Sequence, residues 1–134
     1  MATYNGSCHC GRVTFEVTAD IKALYECNCS ICRRKGALYV SALASDQVRI
    51  LSGESELTVY QFGTGTAAHQ FCRHCGIHPF HHPRFRPDGW SVNARCLENF
   101  DQLRALPVRQ FDGKNFERAA ADAREGRSSG SPGD

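Results

Sequence analysis

The chain has 134 residues, enough for one domain with a buried core and too few for two. Apolar residues make up 41% and charged residues 22%, and 16 Lys+Arg against 14 Asp+Glu leave a net charge of +2. That balance argues against a nucleic-acid or anionic-membrane partner, and the composition argues against a largely disordered chain.

In chain order, the start (Met1-Ala2-Thr3-Tyr4-Asn5-Gly6) carries neither a basic nor an apolar leader, and no apolar run reaches membrane-spanning length. A cytoplasmic location is therefore expected. Val13, Phe15 and Val17 alternate with Thr14, Glu16 and Thr18, the period of a half-buried strand. The segment after Cys29 is expected to make a short helix that Gly36 stops. Strands are expected in the apolar runs 37–43 and 48–51. Leu57–Phe62 and Ala67–Phe71 flank Gly63-Thr64-Gly65-Thr66 and read as a hairpin. His78-Pro79-Phe80-His81-His82-Pro83 reads as an extended edge or a loop, its histidines as surface or packing residues. Trp90–Cys96 alternates again, after the turn pair Asp88-Gly89. Glu98–Leu106 is a weak helix candidate, and Phe116–Arg124 reads as a short surface helix. A single mostly β domain over residues 1–125 follows, with a disordered Ser/Gly tail at 126–134.

Eight cysteines set this composition apart, in tight clusters: Cys8/Cys10, Cys27/Cys29/Cys32, Cys72/Cys75 and a separate Cys96. Framework disulfides join distant segments, whereas neighbours at such spacing converge on a common centre, so metal is the favoured reading. Zinc takes thiolates in tetrahedral array, and Cys-x-x-Cys is the usual half-site. Cys72-Arg73-His74-Cys75-Gly76 has that form, and Cys8-His9-Cys10-Gly11 is a tighter version. Together they suit one closed structural site. Cys27, Cys29 and Cys32 place three thiols within six residues, the arrangement of a catalytic zinc with one position left for water or substrate. Arg33, Arg34 and Lys35 follow at once and are candidates to meet an anionic substrate, as is Arg95. Cys96 is the open question: ligated to the triad it closes the second site, and apart from it is a small buried hydrophobe. No Ser/His/Asp grouping is legible, and no general base can be named.

Three motifs occur together: Gly6-Ser7-Cys8-His9-Cys10-Gly11, Cys27-Asn28-Cys29-Ser30-Ile31-Cys32-Arg33-Arg34 and Phe71-Cys72-Arg73-His74-Cys75-Gly76. In order and spacing they resemble the glutathione-dependent formaldehyde-activating enzyme family, which also includes the centromere protein V group. The likeness covers most of residues 4 to 110, including the later stretch Ser91–Leu97. It implies a β-tent fold of several small antiparallel sheets stapled by zinc. It further implies a structural zinc on Cys8, Cys10, Cys72 and Cys75 and a catalytic zinc on Cys27, Cys29 and Cys32, two ions per chain. The implied activity is a carbon–sulfur lyase acting on a small glutathione-type thiol adduct, S-(hydroxymethyl)glutathione in the founding reaction. The histidine-rich stretch 78–82 departs from the family pattern. The competing expectation is a non-catalytic binding module with two closed four-cysteine sites, which requires Cys96 at the triad.

Overall fold

The computed structural model describes residues 1–125; the tail expected to be disordered lies outside the described residues. The strands of its first half are β1 (Ala2–Ser7), β2 (Thr14–Ala19), β3 (Leu24–Cys27), β4 (Tyr39–Leu43) and β5 (Val48–Ser52). Those of its second half are β6 (Leu57–Tyr60), β7 (Ala68–Cys72), β8 (Phe80–His82), β9 (Trp90–Asn93) and β10 (Val108–Phe111). Helices are short: α1 (Ser30–Lys35), α2 (Phe100–Leu103) and α3 (Phe116–Arg124). The fold is mainly β, as expected.

One sheet has three strands in the order β1-β2-β5, all antiparallel. The alternation read in β2 buries Phe15 and Val17 completely. Gly6 on β1 stands opposite Phe15, whose ring occupies the space a Cβ would need. The other sheet has seven strands in the order β10-β3-β4-β9-β8-β7-β6. It is antiparallel throughout except for its β10–β3 edge, which is parallel.

Period-2 alternation divides the two faces of the large sheet. Val40, Val92 and Phe80 are neighbours across β4, β9 and β8, and all three are buried in the main core. There Phe80 meets Phe15 of the small sheet edge-on, with centroids 5.1 Å apart. The next residue along each strand turns to the opposite face. Ser91, His81, His69 and Tyr60 form one cross-strand row over β9, β8, β7 and β6. That second face carries the cavity described below.

The helices fall where the sequence placed them, with one trimmed. α1 ends at Gly36, whose φ of 66° is the left-handed conformation glycine adopts freely. The weak candidate at Glu98–Leu106 reduces to the single turn of α2. α3 spans Phe116–Arg124 and buries Ala119, Ala120 and Ala123. The proline-flanked stretch at 78–83 is no loop: Pro79 and Pro83 bracket β8 without entering it, so their missing N–H groups interrupt no ladder.

Candidate metal centres and their cavity

Two turns build the first cluster. Cys8 and Cys10 lie in the turn after β1, and Cys72 and Cys75 in the turn that begins at the end of β7. The turns repeat one pattern: Cys8 N–H donates to Val13 C=O at 3.0 Å, and Cys72 N–H to Ile77 C=O at 3.0 Å. Gly11 and Gly76 stand at φ of 83° and 77°, which a side chain would strain. The Val13 N–H donates to the Cys8 sulfur at 3.4 Å. Glu56 secures the second turn, receiving Arg73 Nε at 2.7 Å and His74 Nε2 at 2.8 Å.

The four sulfurs lie within 4.8 Å of one another. Two of the separations, Cys8 to Cys10 and Cys10 to Cys72, are 3.6 Å. Four sulfurs on a tetrahedral ion with bonds of about 2.3 Å sit roughly 3.8 Å apart, so the cluster already has the dimensions of a thiolate metal site. All eight cysteines are free thiols. Cys10, beside Arg12, is drawn down to about 6 by hydrogen bonds from that residue.

Cys27, Cys29 and Cys32 form a second group whose sulfurs also lie within 4.8 Å. Cys27 ends β3, Cys29 precedes α1, and Cys32 lies one turn into that helix. Hydrogen bonds among the three thiols hold Cys29 toward the thiolate and push Cys27 the other way. The Tyr39 hydroxyl donates to the Cys32 sulfur at 3.2 Å, and burial raises that phenol well above its ordinary range. A second brace comes from the turn after β10. Asn28 Nδ2 donates to Asp112 Oδ1 at 2.8 Å, while the Lys114 N–H donates to Asn28 Oδ1 at 3.0 Å. Gly113, between them, passes so close that a Cβ would stand 2.5 Å from the Cys27 sulfur.

A 490 Å³ cavity opens over this triad, with all three cysteines in its lining. Tyr39, Ser41, Ser91, His81 and His69 supply its polar wall, which is the second face of the large sheet. Aromatic rings close much of the rest: Tyr25, Phe62, Phe85, Phe111 and Phe116. Arg84 and Lys114 stand at its margin; Arg84 pairs with Glu117 at 2.8 Å and lies over the Phe116 ring at 4.1 Å.

The basic residues singled out in the sequence are dispersed. Arg33 and Arg34 are exposed and absent from the cavity lining; Arg33 instead lines a 250 Å³ hollow beside Cys27 and Cys32. Arg95 lies over the Phe100 ring at 5.1 Å, away from the triad's cavity. Lys35 alone approaches the site: its Nζ is 2.9 Å from His69 Nδ1, and burial brings its ammonium down to about 8. Cys96 does not join the triad among the described residues. It packs into the main core with Cys75, and burial, with Cys8 and Cys75 nearby, pushes its thiol up to about 12.

Of the histidines in the 78–83 stretch read as surface or packing residues, His81 is buried in the cavity wall at 5% exposure, and His69 joins it there at 3%. Burial drives both imidazoles down, His69 to about 4, with the Lys35 charge adding to the effect.

The chain resembles a protein of known structure from Rhodobacter sphaeroides. The two share 41% identity with a TM-score of 0.69, and the match covers 78% of this chain and 98% of the other. The pattern of the glutathione-dependent formaldehyde-activating enzyme family matches residues 3–111, a span that holds both cysteine clusters and the strands that position them. The chain belongs to the glutathione-dependent formaldehyde-activating enzyme family.

Proposed function

We propose that this protein is a zinc-dependent carbon–sulfur lyase that interconverts an aldehyde and a glutathione-type thiol with their adduct, S-(hydroxymethyl)glutathione being the simplest case. The observation that carries the reading is the position of Cys27, Cys29 and Cys32: three sulfurs grouped for one ion, in the wall of a 490 Å³ cavity. Cys8, Cys10, Cys72 and Cys75 satisfy all four positions of the other ion and make it a cross-link. The all-sulfur donor sets favour zinc over harder cations. Bound at the triad, zinc supplies Lewis acidity toward the adduct's sulfur or oxygen.

The protein's own residues hold and shield the site. Tyr39 fixes the Cys32 sulfur from one side, and Gly113 with the Asn28–Asp112 pair fixes Cys27 from the other. The aromatic walls exclude water from the reacting bond. Lys114, in the lining of the cavity, is the residue that meets a substrate carboxylate. In cleavage the carbon–sulfur bond breaks with its electron pair kept by sulfur, while the hydroxyl oxygen forms the carbonyl and gives up its proton, which ends on the thiol.

The rival binding-module reading requires a fourth cysteine at the triad, and Cys96 lies with Cys8 and Cys75 instead. Exchange NMR of S-(hydroxymethyl)glutathione against formaldehyde and glutathione tests the lyase. The exchange rate is expected to rise in proportion to protein carrying two zinc ions per chain; no increase at full occupancy would reject the reaction.

A further inference from the structure

The cavity wall contains a pair of groups that metal binding leaves without a role. His69 on β7 and His81 on β8 are direct cross-strand partners. Their rings stack with centroids 4.6 Å apart and planes 22° from parallel. Phe62 continues the stack over His69 at 5.9 Å, and Tyr39 meets His81 edge-on at 5.0 Å. Such packing fixes both rings, so only their nitrogens remain to do chemistry.

Those nitrogens are not equivalent. Lys35 Nζ stands 2.9 Å from His69 Nδ1. An ammonium has three donors and no acceptor, so Nδ1 must accept and the single proton of a neutral ring sits on Nε2. At His81 the same tautomer arises differently, because Nδ1 is sealed from solvent with no partner among the described residues. A bare nitrogen there leaves only a lone pair unmet, whereas a proton would strand a buried N–H, the rarer case in folded proteins. The ring nonetheless lines the cavity, and Nε2 is the nitrogen it has left to offer. The ionisable groups around the pair are Lys35 on α1, Cys29 before it, Tyr39 on β4, His78 before β8 and His82 on β8. Among them the Lys35 charge and burial oppose a second proton on either ring.

We propose that His69 and His81 are paired neutral Nε2–H donors that receive the carbonyl oxygen of the aldehyde and stabilise the negative charge it gains as sulfur adds to carbon. The assignment rests on the lyase reading. In the addition, a sulfur lone pair forms the carbon–sulfur bond and the carbonyl π pair moves to oxygen. The proton released by the thiol ends on that oxygen, so neither imidazole is consumed. Fixed donors aimed at developing charge act without reorganising, and neutral imidazoles hold their protons while doing so. Lys35 is a positioning residue here, setting the tautomer of His69.

Two measurements on the zinc-loaded protein decide the matter. Long-range proton–nitrogen correlation spectra of the histidine-labelled protein are expected to show protonated Nε2 and bare Nδ1 on both rings from pH 6 to 8. An Nδ1–H tautomer, or an imidazolium, at either position would overturn the proposal. In turnover of S-(hydroxymethyl)glutathione, His69→Phe and His81→Phe are each expected to lose about 100-fold in kcat with KM little changed. His69→Gln and His81→Gln, which keep an N–H near the Nε2 position, should retain much more. An active wild type with unimpaired Phe variants would sink the donor pair alone. A zinc-loaded wild type without turnover would take down the lyase reading and this assignment with it.

Discussion

His81 is a buried base that the fold keeps uncharged, and that has a consequence for stability. Burial first, and then the Lys35 charge, hold its folded pKa well below the ordinary 6.5. Below pH 6.5 the unfolded chain takes up a proton that the folded one refuses, so stability present above that pH is lost on acidification. The slope for one such group approaches about 1.4 kcal/mol per pH unit. Urea unfolding of the wild type at pH 7, 6 and 5 should therefore fall more steeply than that of His81→Phe by about this amount. Identical slopes would show that His81 titrates freely in the folded protein. This residue also marks where reading the sequence ran out. Cysteine ligands are legible because each turn brings its own pair together within a few positions. His69 and His81 meet only through the register of two strands, and nothing local announces that register.

At the scale of elements, strands with alternation or a clear apolar run were legible, and β3 and β10 were not. β2 shows its period because one face is core and the other is wet. β3 carries Leu24 and Tyr25 buried side by side, and its short run gives no alternation to read. β10 is exposed at Val108, Arg109 and Gln110, and exists as a strand only through its parallel pairing with β3. The turn leaving β10 nonetheless governs the triad. Gly113→Ala would drive a methyl group to 2.5 Å from the Cys27 sulfur and 3.0 Å from Cys29 Cβ, two residues of the triad at once. The expected outcome is loss of about one metal ion per chain with β structure retained, read by metal analysis and circular dichroism. Two ions retained would show that the turn yields instead.

For the whole molecule, the first cluster is the clasp between the two sheets. Cys8 and Cys10 leave the three-stranded sheet at the end of β1, and Cys72 and Cys75 leave the seven-stranded one at the end of β7. A zinc ion held by these four thiolates would contribute on the order of 10 kcal/mol or more, comparable to the whole stability of a domain this size. Chelation that strips both sites should abolish the β-type circular dichroism signal, and its survival after proven metal removal would refute the clasp. The mainly β class and the two clusters were legible from residue types and spacing. The assembly of seven strands, two of whose six neighbouring pairs (β10–β3 and β4–β9) are not consecutive in sequence, was not, because such pairing is decided by burial between distant segments.

The parallel edge also imposes an order of events during synthesis. Asn28, between two cysteines of the triad, finds its partners only at Asp112 and Lys114, more than eighty residues later. A ribosome therefore adds more than eighty residues beyond the triad before the pocket can acquire its final wall. Until then the nascent chain has its early cysteines exposed without that support, so the capacity for chemistry arrives after the scaffold has formed.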